Sequence, residues 1–290
     1  VDPILLIVVA LIIGLAAGLL SGMFGIGGGI IMVPAIQAAG LVSGDAAFNQ
    51  ATAASLFAII FLSPTGSYVH MRSNHLNWRY GMMLGAGGIA GGVIGSYFSK
   101  DVPQALLSVG FALFALAMGV QMILKGRRKA APVRPEDDED IEPPEDADLD
   151  KPPVPASGAE AESMVCRMPN PLPYLALLGF AAGILAGFLG VGGGLIMVPV
   201  MVMLGIGIHV AIGTSLMAIL FTAGASVITK ASFNLLDIQV AMPLAVGGCI
   251  AAYVGAVIAT RTHSKSLAGY FSVLLFAISA YMLLRSLGYL

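Results

Sequence analysis

Apolar residues run along this chain in long blocks rather than alternating with polar ones. In the first half the blocks lie near 4–23, 29–41, 48–69, 78–98 and 103–124. In the second they lie near 172–189, 194–207, 209–230, 238–260 and 265–287. An apolar run of about 20 residues, rising 1.5 Å per residue as a helix, crosses the hydrocarbon layer of a bilayer. The first, third, fourth and fifth blocks of each half meet that length. The second is shorter, about 20 Å if helical, and carries Pro34 or Pro199. The pattern predicts an all-α polytopic membrane protein. Each half holds four full spans plus a short half-helix behind a glycine break, eight to ten membrane segments in total.

The two halves repeat one another. Gly18–Pro34 reads GLLSGMFGIGGGIIMVP and Gly183–Pro199 reads GILAGFLGVGGGLIMVP, aligned without gaps 165 residues apart. Further on the offset becomes 160, pairing Ser55-Leu56 with Ser215-Leu216, Asn74 with Asn234, Gly87-Gly88 with Gly247-Gly248, Gly95 with Gly255 and Phe111 with Phe271. Duplication of this kind is a recurring basis of transporter architecture. The units are a first membrane repeat over 1–124, a linker over 125–170 and a second membrane repeat over 171–290.

Composition narrows the class. Of 290 residues, 58% are apolar and 10% charged, and the mean hydropathy is +0.91. A soluble domain carries about a quarter charged residues, so lipid is this chain's solvent. The net charge of -2 conceals an uneven distribution: ten of the 16 acidic residues fall between Glu136 and Asp150. That Pro-rich acidic stretch has too little apolar surface to offset ordering entropy and reads as a disordered cytoplasmic tether. Outside 125–170 the bases Arg72, Arg79, Lys100, Lys230, Arg261, Lys265 and Arg285 outnumber Asp2, Asp45, Asp101 and Asp237, which suits an anionic solute. The same bases also read as topology anchors at loop ends. Cys166 and Cys249 have no spacing partner, so no disulfide framework or thiolate site is readable.

Arg72 and Arg79 share one loop, and Lys125, Arg127, Arg128 and Lys129 follow two crossings later, so both groups are expected in the cytoplasm. Lys plus Arg counts do not decide the relative orientation of the halves. If the first two blocks make one crossing, the halves are parallel. A re-entrant hairpin or two crossings makes them inverted. Two of those three geometries give inversion, and the reading leans that way.

The glycine runs Gly25–Gly29 and Gly190–Gly194 need a physical reason. Each glycine costs a helix about 1 kcal/mol, and in lipid the freed backbone groups need partners. Such a break survives inside protein or beside a cavity. It exposes the N–H groups and the positive end of the following helix, a ready anion site. Gly27, Gly28, Gly29, Gly192, Gly193 and Gly194 are therefore substrate-binding candidates; close helix packing is the plainer alternative. Neither run fits a dinucleotide fingerprint. In the third blocks, Asn49, Gln50, Thr52 and Ser55, with Thr214 and Ser215, offer hydroxyls and amides that replace an anion's hydration shell. Ordinary interhelical hydrogen bonding competes with that role. His70 and Lys230 occupy matched positions near the ends of those blocks. Lys230 is a candidate anion ligand and His70 a candidate proton-coupling group, against snorkelling to the interface. Trp78 and Tyr80 read as interfacial anchors.

With both copies of the G-x-G-G-G-x-x-x-V-P pattern at Gly25–Pro34 and Gly190–Pro199, and the Gly-Thr-Ser at Gly213–Ser215, the sequence resembles the sulfite exporter TauE/SafE family. The resemblance covers both membrane halves. It implies a secondary transporter for sulfite, an organosulfonate or a related sulfur oxyanion in the cell inner membrane, with proton coupling. It implies about eight spans and no bound cofactor. The implied partners are a small anion, protons and lipid, with no nucleic acid. The family's Thr-Ser is Ala54-Ser55 in the first half, a departure from symmetric hydroxyl coordination.

Three other classes compete. An anion channel of the same fold differs in lacking saturable counterflow. An intramembrane enzyme needs a nucleophile–base or metal constellation, and His70, His75, His209 and His263 have no ligand-like spacing with carboxylates. A receptor or scaffold acts through the acidic linker.

Overall fold

The computed structural model describes residues 3–44, 46–73, 75–128, 172–204, 206–261 and, in the last block, 276, 278–282 and 284. The linker reading over 125–170 lies, from residue 129 onward, outside the described residues, as does most of the last block. Lipid offers the backbone no partners, so spanning segments satisfy their own N–H and C=O groups as helices.

The first half forms α1 (Pro3–Phe24), α2 (Gly29–Ala38), α3 (Ala47–Arg72), α4 (Trp78–Ser99) and α5 (Gln104–Arg128). The second forms α6 (Leu172–Leu189), α7 (Gly194–Met203), α8 (Ile208–Ser232) and α9 (Ile238–Arg261). The hydrophobic blocks foretell these bounds closely. One difference is α5, which continues past the apolar run to Arg128, because Lys125, Arg127 and Arg128 are good helix formers. Five of the helices, α1, α3, α4, α8 and α9, are long and apolar enough to cross a membrane. The helices α2 and α7 have 10 residues each, about 15 Å, or half a crossing. Asn77 caps α4 by accepting from the Tyr80 N–H at 3.3 Å, and Asp237 caps α9 by accepting from the Gln239 N–H at 2.9 Å.

Each half packs its outer helix on the other half. Gly14, Gly18 and Gly22 of α1 lie directly on the backbone of Leu244, Gly248 and Ala252 of α9. Gly87, Gly91 and Gly95 of α4 lie on Ala176, Phe180 and Ile184 of α6. A methyl group at Gly18 would sit 2.7 Å from the Gly248 Cα, and one at Gly91 2.8 Å from the Ile184 nitrogen. Glycines four residues apart make one flat stripe along a helix, and removing the side chains lets backbones touch where lipid supplies no hydrophobic drive. In both seams the residue numbers rise together, so these pairs run parallel.

The helices α3 and α8 form the centre and run antiparallel. His70 meets Gly213, Gly66 meets Leu216, and Asn49 meets Lys230. The glycine breaks fold the chain back. Gly28 lies against the Ala17 carbonyl of α1, and Gly193 against the Ala182 carbonyl of α6, each at 3.1 Å from where a Cβ would stand. So α1–α2 and α6–α7 are hairpins. The outward faces of α1, α4 and α9 are apolar, with Ile4, Leu5, Ile12, Met82, Ile94, Phe98, Ile250 and Tyr253 exposed. That surface belongs in lipid, and the chain is a multi-pass membrane protein.

Candidate functional site

The tips of the two hairpins meet. Gly29 at the start of α2 rests on the Gly190 carbonyl and Val191, and Gly194 at the start of α7 rests on the Gly25 carbonyl and Ile26. The matched glycines share one backbone shape. The φ angles are 69° and 72° at Gly25 and Gly190, 86° and 78° at Gly27 and Gly192, and 75° and 82° at Gly28 and Gly193. Side-chain-bearing residues rarely adopt this left-handed region. Gly28 and Gly193 serve as N-caps without any side-chain bond, their carbonyls accepting the first helical bonds from Met32 and Met197. Among the described residues, the N–H groups of Gly27, Gly28, Gly29 and Ile30, and of Gly192, Gly193, Gly194 and Leu195, donate to no backbone carbonyl. Two helix N-termini, each carrying roughly half a positive charge, therefore converge in the protein interior. All of Gly25–Ile30 and Gly190–Leu195 is buried.

The serines hold this crossing together. Ser55 donates to the Gly190 carbonyl at 3.0 Å and Ser215 to the Gly25 carbonyl at 2.9 Å, so each half pins the other's break. Each hydroxyl also approaches a carbonyl of its own helix, Thr52 at 2.8 Å and Ile212 at 2.8 Å. A serine has one hydrogen, and here it is shared between carbonyls. Thr52 donates to the Asn49 carbonyl at 2.9 Å, and a Cβ at Gly190 would stand 2.8 Å from the Thr52 Cα. Thr214 accepts from the Asn77 N–H at 3.1 Å, tying the start of α8 to the start of α4. Gln50 sits half-buried in the first turn of α3. Ile59 and Ile219, at matched positions where α3 and α8 cross, lie against Gly192 and Gly27 and close the space between the tips.

Lys230 is fully buried in the last turn of α8. Its ammonium donates to Asn49 Oδ1 at 3.1 Å and Ser99 Oγ at 2.9 Å, while Asn49 Nδ2 donates to the Ser99 carbonyl at 3.1 Å. These acceptors are neutral, and no carboxylate among the described residues reaches the Nζ. At the other end of the α3–α8 pair, His70 is fully buried too. His75, in the loop after α3, stacks on His209 of α8 with ring centroids 5.3 Å apart. Burial, and then the neighbouring His209, pull the His75 pKa below the ordinary imidazole value. Among the described residues no three His, Cys, Asp or Glu side chains converge as metal ligands.

The sequence pattern singled out Lys230 and His70 but not their surroundings. Ser99 and His209 come from distant helices, and only the antiparallel crossing brings them in. Four further buried hydroxyls, of Ser21, Ser63, Ser96 and Ser226, have no hydrogen-bond partner. Their spacing in sequence carries no signal. The seam glycines did carry one, in their repeat of four.

The family model for the sulfite exporter TauE/SafE matches residues 10–159 and 175–288, taking in both hairpins and the helices between. The chain belongs to the TauE/SafE family. Among curated relatives, it is 24% identical over 291 residues to the probable membrane transporter protein YunE of Bacillus subtilis, covering 95% of this chain and 97% of that one. It is 27% identical over 278 residues to a probable membrane transporter protein of Xylella fastidiosa, covering 95% of this chain and 92% of the relative. No solved structure matches the chain. Across this TauE/SafE chain, then, the resemblance seen in the glycine motifs extends to full-length transporter relatives.

Proposed function

We propose that this chain is a secondary transporter that moves a small sulfur-containing anion, sulfite or an organosulfonate, across the cell inner membrane with proton coupling. The observation that carries the reading is the meeting of two unsatisfied helix N-termini at the hairpin tips. Backbone N–H groups and half-helix dipoles attract an oxyanion strongly without a fixed charge that would trap it. Gly27, Gly28, Gly29, Gly192, Gly193 and Gly194 supply that cradle. Ser55 and Ser215 hold its two carbonyls, Thr52 and Thr214 brace the helix starts, and Gln50 adds a half-buried amide in the first turn of α3. Lys230 supplies the counter-charge on one side. The name of the family, and of its sulfite-exporting model, supports the sulfur chemistry.

In the same reading the halves are inverted repeats. Antiparallel α3 and α8 support this, as do the parallel pairs α1–α9 and α4–α6. The hairpins then enter from opposite faces, and their tips meet near the midplane, as in other inverted-repeat carriers. The end that holds His70 gathers Arg72, Arg79, Arg261 and the basic end of α5. By the positive-inside rule it faces the cytoplasm, and the acidic linker with it. Burial of the whole crossing under Ile59 and Ile219 supports a closed intermediate of a carrier rather than an open channel. The test is flux into proteoliposomes, comparing sulfite, sulfate, thiosulfate, taurine and sulfoacetate. Saturable sulfite or sulfonate flux is expected; equal, unsaturable flux of every anion would favour a channel and defeat the carrier.

A further inference from the structure

The two ends of the α3–α8 pair are built from matched positions with different chemistry. Asn49 at the start of α3 faces Lys230 at the end of α8. At the other end the same two positions are His209 and His70, and His75 joins them from the loop. His70 has no exposed surface, and neither of its ring nitrogens has a hydrogen-bond partner. The Gly22 backbone lies beside it without meeting hydrogen-bond geometry. The Nδ1 atoms of His75 and His209 are also buried and unpartnered. A structural histidine in a core is normally satisfied by a carbonyl, a carboxylate or water. Here four buried nitrogens, at one end of the α3–α8 pair, are left without a hydrogen-bond partner.

Among the described residues, the groups around the cluster contain no acid. The helices α1 and α2 carry no ionisable side chain. From α3 itself, Arg72 lies over the Tyr68 ring, 5.2 Å away. From α4, Arg79 is exposed, and from α8 only His209 approaches. On α9, Cys249 is bound to Thr65 at 3.0 Å. Asp101 and Asp237 follow the C-terminal ends of α4 and α8, at the Lys230 end. Among the described residues, then, no carboxylate stands by to neutralise a proton on this cluster, and an anion is the partner that suits it.

We infer that His70, His75 and His209 form a second anion station, the counterpart of Lys230–Asn49–Ser99, which accepts the oxyanion only together with a proton. The inference rests on the transport reading above and adds the site of its coupling. The imidazole takes a proton from the solution on its own face, and the resulting N–H donates to an anion oxygen. When the anion moves on through the glycine crossing the proton goes with it, the imidazole returns to its neutral form, and anion and proton leave together at the opposite face. The paired imidazoles repel a proton without an anion, so charge and substrate arrive together. Lys230 marks the opposite end, and the glycine crossing lies between the two stations.

The experiment measures sulfite flux into proteoliposomes at pH 6 and pH 8 for the wild-type chain, His70→Gln and His209→Asn. The second variant installs the side chain that stands at the matched position 49. Sulfite's own protonation is common to all three and cancels when their pH ratios are compared. One coupled proton gives about a tenfold change in apparent affinity per pH unit above the free pKa. The wild-type ratio is expected to exceed that of each variant by tenfold or more, with a dye inside the vesicles reporting proton movement only for the wild type. If His70→Gln does not yield folded protein, His209→Asn decides alone. Folded variants with the wild-type pH ratio and wild-type proton movement would overturn the station while leaving the transporter standing. A wild-type chain that moves no sulfur anion at either pH would overturn both.

Discussion

Replacing Lys230 with methionine separates a functional cation from a structural one. The side chains have similar length, so the cavity stays filled. The change removes two hydrogen bonds from a charged donor, to Asn49 and Ser99, each worth about 1.5–3 kcal/mol. It also leaves Asn49 Oδ1 without that donor. Against this stands the cost of holding an ammonium out of water beside neutral acceptors only, several kcal/mol per ion. The two effects nearly cancel, and buried charges replaced by apolar residues of like volume are often neutral or stabilising. The expected stability change is within about 2 kcal/mol of zero, read as little or no fall in the thermal unfolding midpoint in detergent. Transport behaves differently. If Lys230 faces the anion, its removal forfeits an interaction of the kind that costs about 2–5 kcal/mol when one buried charged partner is lost. That corresponds to a fall in sulfite flux of at least about 30-fold at subsaturating concentration. A folded Lys230→Met protein with normal flux would refute the reasoning. So would a large loss of stability with flux falling only in proportion to folded protein.

Two further predictions test the crossing itself. Gly29→Ala and Gly194→Ala place a methyl group on the carbonyls of Gly190 and Gly25. Neither backbone can move freely, so each change is expected to cost about 1–3 kcal/mol, as overpacking does, and to be visible in the unfolding midpoint. At Gly40, where a Cβ meets nothing within 4 Å but φ is 63°, Ala is expected to cost only the backbone strain, about 1–2 kcal/mol, without loss of flux. Ser55→Ala together with Ser215→Ala frees both pinned carbonyls. Each buried, unpaired acceptor costs about 1–3 kcal/mol, and the pair is expected to raise hydrogen exchange at residues 25–30 and 190–195 more than elsewhere.

Much of the fold was legible because lipid imposes a simple rule. Apolar blocks gave the described helix bounds to within about a turn, and the doubled glycine motif marked where the chain breaks without deciding between a hairpin and a single crossing. The exchange of α1 onto α9 and α4 onto α6 was not read, although Gly14, Gly18 and Gly22 carry the four-residue spacing that permits it. A stripe of small residues says that a backbone approaches, not which one. The site was half legible. Lys230 and His70 stood out because charge is costly in an apolar run. Asn49, Ser99 and His209 reach them across 131 to 181 residues of chain in the Lys230 bonds, and no local pattern encodes that. Ser55 and Ser215 drew notice as hydroxyls for an anion. That their hydrogens also engage the opposite break is decided by the crossing alone.

The central claim is that the paired glycine breaks carry the anion. Sulfite counterflow in proteoliposomes, comparing the wild-type chain with Gly28→Val and Gly193→Val, tests it most directly. Both positions hold φ angles of 75° and 82° that valine does not adopt, and both cap the helices that face the crossing. Saturable counterflow in the wild type, lost in both variants while each still inserts and purifies as a folded membrane protein, is the predicted result. Normal counterflow in the two folded variants would contradict it.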